Sequence, residues 1–489
     1  MYYIGIDLGT TNVKLILLDE KGQICRSFSD TYPLDFPAPG WSEQSPEDWW
    51  EAVVKGLKTL TEGIPAKEIR GIGCGGQMHG LVVLDNEDRV IRPAILWNDG
   101  RTAEEVEFLN SVVGTGHLMK ETANIAFAGF TAPKLLWMRK HEPENFKRIC
   151  KIMLPKDYIN YKLTGMHVTD YSDAGGMLLL DVEHRDWSEE MLSLCNIRRE
   201  QMPKLYESYE VVGTLLPEVA AATGLEEETT VVAGAGDNAA AAIGTGTVKD
   251  GDCNISLGTS GTLFIASDRF TSVPGGSIHA FPHATGKYHL MGCMLSAASC
   301  NMWFCDDILK AASYAEEQAD ISEEDLGRNH VMFLPYLMGE RSPINDTNAR
   351  GSFVGMRLDT TRKDMVQAVL EGVAFGLRDS LEVIKARGLK VETSGLCGGG
   401  SRSALWQKII ANVLGIPLTL PRTEEGPAYG GAMLAMVGTG LFADVPSCCE
   451  ALLSLRGRVE PDPEITARYE KQYRKFRKLY PALKNFFSE

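Results

Sequence analysis

The 489-residue chain is 44% apolar and 23% charged, ordinary proportions for a folded protein of more than one domain. Its formal net charge of −16 excludes broad binding to nucleic acid or to an anionic membrane, though a small phosphorylated ligand needs only a few local donors. Eleven scattered Cys without a CxxC pair, no secretory apolar core and no long uncharged run predict reduced thiols in the cytoplasm.

The chain opens on a β-run, Tyr2 to Asp7. A short loop with glycine, two hydroxyls and a cation follows (Gly9, Thr10, Thr11, Lys14), then a second run from Leu15 to Leu18 and a third from Gln23. This is an antiparallel meander, whose first loop carries what phosphate oxygens need: bare backbone, hydroxyls and positive charge. It lacks the Walker spacing. Asp7 ends the first strand, where a carboxylate can hold Mg²⁺ directly or through water. Ser45-Pro46 starts a helix with Trp50, Val53, Val54, Leu57 and Leu60 on one face. A strand from Ile69 to Gly73 runs into Gly76-Gln77-Met78-His79-Gly80, placing His79 at a strand end between glycines. Another strand ends in Trp97-Asn98-Asp99-Gly100-Arg101. Two strand ends so rich in polar groups point to a pocket for a polyol or sugar, which needs many directed hydrogen bonds and an aromatic platform.

Residues 101 to 230 read as largely helical, with helices from Thr131 and Pro155 and a connector at 171–176. At the centre lies Val231-Val232-Ala233-Gly234-Ala235-Gly236-Asp237-Asn238, a β-run, a glycine turn and then a small-residue helix. Asp237 stands at the strand-to-helix junction, where open α/β folds place ligands and where Asp also serves as an N-cap. Its alanines leave room for another element to approach closely. Lys249 to Asp252 reads as a boundary, after which the opening device recurs: Cys253 to Leu257, Gly258-Thr259-Ser260, Leu263 to Ile265. A strand, hydroxyl loop and strand repeated half a chain apart point to an internal duplication with two loops facing one ligand. A polar loop follows at 338–343, Thr361 caps a long helix through Ile384, and Ser394 to Ser403 runs from strand through three glycines into a helix N-terminus. Bare backbone there would accept a flat base or a phosphate. Gly426 begins a further small-residue helix, and residues 465–487 read as one amphipathic helix.

Together these parts resemble the FGGY carbohydrate kinases, the sugar-kinase branch of the actin/hexokinase/Hsp70-like superfamily. Gly129 to Lys140 resembles the family's N-terminal signature and Gly398 to Gln407 its C-terminal one. Within the family, Gly76 to Gly80, Ile95 to Arg101 and Gly236-Asp237-Asn238 resemble the branch acting on xylulose. Met78-His79 and Asn238 depart from the Arg-Glu pair and the Gln of glycerol kinases. The resemblance implies an α/β fold of two ribonuclease-H-like (actin/hexokinase/Hsp70-type) domains flanking a deep cleft, residues 1–246 binding the sugar and 247–489 the nucleotide. It implies ATP and Mg²⁺, transfer to a hydroxyl of D-xylulose or of another ketose or polyol, and Asp237 as the general base. Met78, His79, Asp237 and Asn238 would contact the sugar, Asp7 would place Mg²⁺, Thr10, Thr11, Lys14, Gly258 and Thr259 would hold phosphates, and Gly399 and Gly400 would lie near adenosine. No nucleic-acid or membrane partner is expected, and a homodimer is compatible with the sequence.

Two other classes were weighed. Gly234 to Ala239 also fits a dinucleotide GxGxxA turn with Asp252 as the ribose acid, but this leaves both hydroxyl loops unexplained. A non-catalytic nucleotide or sugar sensor leaves Asp237 without a task.

Overall fold

The computed structural model describes residues 1–423 and 425–488. Apolar residues on both faces bury the opening strand, β1 (Tyr2–Leu8), in the middle of a sheet. It pairs antiparallel with β2 (Asn12–Asp19), which pairs with β3 (Ile24–Thr31). On its other side β1 runs parallel to β4 (Ile69–Gly76). Between β4 and the later strands come helices α1 (Thr131–His141) and α2 (Pro155–Thr164). Strands β5 (Val211–Thr214), β6 (Thr230–Val232) and the two-residue β7 (Ala235–Gly236) complete the sheet, in the order β5-β6-β4-β1-β2-β3 with β7 also on β4. Helix α3 (Asp237–Thr245) leaves directly from β7.

The second sheet repeats the plan. Its hairpin is β8 (Cys253–Leu257) and β9 (Gly261–Ser267), extended by β10 (His279–Pro282) and β11 (Tyr288–Met294). The long helix α4 (Arg362–Lys385) begins in a reciprocal capping box between Thr361 and Asp364. Strand β12 (Ser394–Cys397), helix α5 (Ala404–Leu414), strand β13 (Leu418–Pro421), helix α6 (Gly426–Gly438) and strand β14 (Leu455–Val459) follow. The order is β10-β11-β9-β8-β12-β13-β14. In each sheet a run of antiparallel strands, three in the first and four in the second, meets two parallel strands and then an antiparallel edge, so the sequence repeat is a repeat of architecture. No described helix is long and apolar enough to cross a membrane.

Helix α6 follows a strand of the second sheet but lies on the first. A Cβ at Gly430 would stand 1.9 Å from the carbonyl oxygen of Ala240 in α3, and one at Gly5 of β1 would stand 1.8 Å from that of Ala428. A Cβ at Gly73 of β4 would be 2.0 Å from the Gly431 carbonyl. The small residues of α3 and α6 therefore let backbone touch backbone.

Three sequence expectations change. Residues 101 to 230 also hold short strands, including Lys151–Met153 and Val168–Asp170, too brief for alternation to show. Residues 171–176 are helical: Asp170 accepts the Ser172 N–H and caps the turn Tyr171–Ala174, which a 3₁₀ turn, Gly175–Met177, continues. The C-terminal helix is two, Pro463–Phe476 and Leu479–Phe487, because Pro481 would clash with the carbonyl four residues earlier in one continuous helix.

Gly430→Ala is expected to lower the thermal unfolding temperature, at a cost of about 1–3 kcal/mol or more. Gly116→Ala, where a Cβ meets nothing within 4 Å, is expected to leave it unchanged or raise it slightly. Thermal melts of the two variants beside the parent check this.

Candidate active site

Parallel pairing sets three strand ends level. Asp7 lies opposite Gly75, and Gly75 opposite Ala235, so the ends of β1, β4 and β7 form one edge with Asp7 on one side and Asp237 on the other. Asp237 is the first residue of α3 and Gly236 the N-cap, so the carboxylate is not itself the cap. It accepts from the Asn238 N–H at 2.7 Å and from Asn238 Nδ2 at 2.8 Å. Burial pushes its pKa up to about 6, with the two Asn238 hydrogen bonds opposing the shift. Burial, and then the Asp237 charge, push Asp7 up to about 7, against the pull of Lys14. Lys14 is itself ion-paired with Glu425 just before α6.

Met78 is buried, with its sulfur 4.0 Å from Asn238 Nδ2. His79 has φ +71°, a left-handed conformation uncommon outside glycine. Two donors clamp it there: Thr131 Oγ1 and Lys134 Nζ reach its carbonyl at 3.0 and 2.8 Å. Its Nδ1 is 2.8 Å from the Gly176 carbonyl, which can only accept, so Nδ1 carries the proton. Burial, with Lys134 and Arg341 adding to it, depresses the ring's pKa to about 3. The neutral ring therefore offers Nε2 as an acceptor. No side chain fits at Gly176, where a Cβ would lie 2.4 Å from the His79 ring.

The first hydroxyl loop turns one residue toward this pocket. Thr10 Oγ1 accepts from Trp97 Nε1 at 2.9 Å and donates to Gln77 Oε1 at 3.1 Å. Thr11 is exposed. In the second loop, Thr259 is exposed, and the carbonyls of Gly258 and Thr259 accept from the N–H groups of Ala298 and Ala297. A cavity of about 250 Å³ is lined from both halves, by Asp237 and Asn238, by Ser256 and Thr262 of the second hairpin, and by Gly398. Gly398 has φ +85° and sits against Leu257 backbone. At Gly399 a Cβ would meet nothing, whereas at Gly400 it would strike Leu257, so bare backbone is open at the first.

Several working residues escaped sequence reasoning. Trp97, 42% exposed and hydrogen-bonded to Thr10, is an aromatic wall that no periodicity signals. Lys134 lies within an apolar helix, where burial pushes its pKa well down, yet its Nζ donates to the His79 carbonyl and holds that loop. Beneath Asp237, Ser172 Oγ accepts the Gly236 N–H at 3.2 Å and donates to Asp170, which pairs with buried Lys156 at 3.1 Å. Burial disfavours the Lys156 charge, but Asp157, Asp170 and Asp173 outweigh it and raise its pKa. Asp99 and Arg101, by contrast, face each other: both are buried in a two-pronged ion pair, with Arg101 stacked 3.8 Å over Trp41. They brace the loop after Trp97.

Comparison with known proteins gives this geometry its class. Residues 2–244 match the N-terminal domain of the FGGY family of carbohydrate kinases, and residues 253–439 its C-terminal domain. The chain is 44% identical to a xylulose kinase of Escherichia coli over 98% of this chain and 99% of that one. It is 38% identical to a xylulose kinase of Bacillus subtilis, over 99% and 97%. A solved "xyloylose kinase" from Brucella ovis superposes with a TM-score of 0.95 at 41% identity, covering 99% of this chain and all of that one. A gluconate kinase from Lactobacillus acidophilus superposes at 0.93 with 28% identity, covering 99% and 98%. The chain belongs to the FGGY family of carbohydrate kinases. It is a sugar kinase, with ATP as the phosphoryl donor of its class.

Both site carboxyls hold protons more tightly in the folded than in the unfolded chain. From about pH 4 to about pH 7 the folded state therefore binds more protons, and their contribution to stability falls as pH rises. Asp7→Asn is expected to stabilise the ligand-free protein at about pH 8, by about 1–3 kcal/mol, with the gain gone near pH 4. Denaturant melts at the two pH values check the sign.

Proposed function

We propose that the protein transfers the γ-phosphoryl group of ATP to a terminal hydroxyl of D-xylulose, with Asp237 as general base. The observation carrying this is a half-buried carboxylate lining the interdomain cavity, beside Asn238, Met78 and a neutral His79 whose Nε2 only accepts. Similarity to xylulose kinases over nearly the whole chain supports the choice of sugar. Residues 1–246 form the sugar half and 247–489 the nucleotide half, with α6 packed back on the first sheet.

In this reading Met78, His79 and Asn238 orient the sugar against Trp97, its attacking hydroxyl toward Asp237. The Asp237 carboxylate, held by Asn238, takes the hydroxyl proton as the bond to phosphorus forms. Thr10, Thr11, Lys14, Gly258 and Thr259 line the way to the phosphates, and Gly399 gives the adenosine a bare surface beside Gly400, whose own Cβ position is filled by Leu257. The residues present fit Mg²⁺ at Asp7. Its carboxylate accepts no hydrogen bond from the described residues and faces the like charges of Asp237 and Glu425. When bound, the ion would neutralise phosphate oxygens. Closure of the halves excludes water and so restrains ATP hydrolysis.

A coupled ADP-release screen over D-xylulose, ribulose, gluconate and polyols tests the reading, which fails if D-xylulose is not the preferred acceptor. Asp237→Ala is expected to lose at least about 10²–10⁴-fold in kcat while ATP still binds. Met78→Ala and His79→Ala are expected to weaken sugar binding ahead of ATP binding, which calorimetry on each ligand separates.

A further inference from the structure

Resting on the proposed function, we propose that Arg341, from the nucleotide half, is a specificity-determining residue of the sugar site whose guanidinium donates to the keto oxygen of the ketose. Its loop is tightly anchored. The buried Glu340 carboxylate accepts from the N–H groups of Leu295 and Arg341, at 2.9 and 2.7 Å, and the Ser342 N–H reaches the Cys293 carbonyl at 3.0 Å. The side chain itself is left half-buried and unspent. Its guanidinium makes no hydrogen bond or ion pair with any described residue, while Arg362 and Arg378 of α4 each close on a carboxylate. Among the described residues its guanidinium lies over the Phe127 ring, with Cζ 5.1 Å from the centroid. Phe127 packs on Phe130 at 5.5 Å and Phe130 on His79 at 4.7 Å. Arg341 thus stands on the same aromatic wall as the sugar-facing histidine.

The chemistry of the two groups is complementary. A guanidinium only donates, and the neutral His79 Nε2 only accepts. A ketose carries one oxygen that can only accept, its carbonyl, beside hydroxyls that also donate. Reduction to a polyol turns that carbonyl into a hydroxyl on a tetrahedral carbon, whose oxygen leaves the carbonyl plane and accepts from the fork only with its own proton turned away. A site built around a half-buried donor with no other partner among the described residues discriminates against a ligand that satisfies it less well. The contact also spans the cleft, so sugar in the first half would draw the second half toward it.

The test compares D-xylulose with its reduced products, xylitol and D-arabitol, in the parent, Arg341→Met and Arg341→Lys. The expected result for Arg341→Met is a loss of about 10- to 100-fold in kcat/KM for the ketose, with the polyols and the KM for ATP moving by less than about threefold. The ketose-over-polyol ratio collapses accordingly. Arg341→Lys keeps the cation and loses the fork, so it falls between the two and carries the test if the methionine variant does not fold. An unchanged ratio, or an equal loss on ketose and polyols, overturns the role of Arg341. If the parent itself uses no ketose, the functional reading fails and takes this inference with it. A ketose-active parent with an unaffected variant overturns Arg341 alone.

Discussion

The contact on which the rest depends is backbone against backbone: α6 against α3 and against β1 and β4. Carbonyl groups occupy the space that side chains would fill at Gly5, Gly73 and Gly430. That packing fixes the height of α3 over the first sheet, and with it where Asp237 emerges beside Met78. It also brings Glu425, just before α6, to Lys14 on the first hairpin. Because interiors pack like crystals, no side chain can be added along this seam without moving the helix that carries Asp237.

Around that frame the charges are arranged in two tiers. Buried carboxylates below the strand ends are answered by Lys156 and by hydroxyls, and they hold the backbone of Gly236 in place. The carboxylates at the edge, Asp7 and Asp237, are left without a cation of their own and keep raised pKa values. A site that receives a polyanion would ordinarily avoid such acids. They make sense where a divalent ion arrives with the nucleotide and a hydroxyl must lose its proton.

The doubled hairpin was legible because hydroxyl loops between apolar runs recur at matching places, and the fold followed from it. Asp237 was legible for the same reason, standing between the two loops at a strand end. Trp97 was legible as part of a polar strand end, but its pairing with Thr10 was hidden, as was the hold of Lys134 on the His79 carbonyl, since both contacts lie far apart in the chain. Asp99 and Arg101 looked like pocket residues because composition cannot tell a polar group facing a ligand from one satisfied by its neighbour. The place of α6 was hidden too: the alanines of α3 showed that something would come close, but not that α6 would.

The return of α6 to the first sheet makes the two halves less modular than their repeated plan implies. A polypeptide cut after residue 246 would leave Gly5, Gly73 and the alanines of α3 as an uncovered furrow, while the remaining piece would carry the ridge that fills it. The halves are therefore laced by their own connectivity.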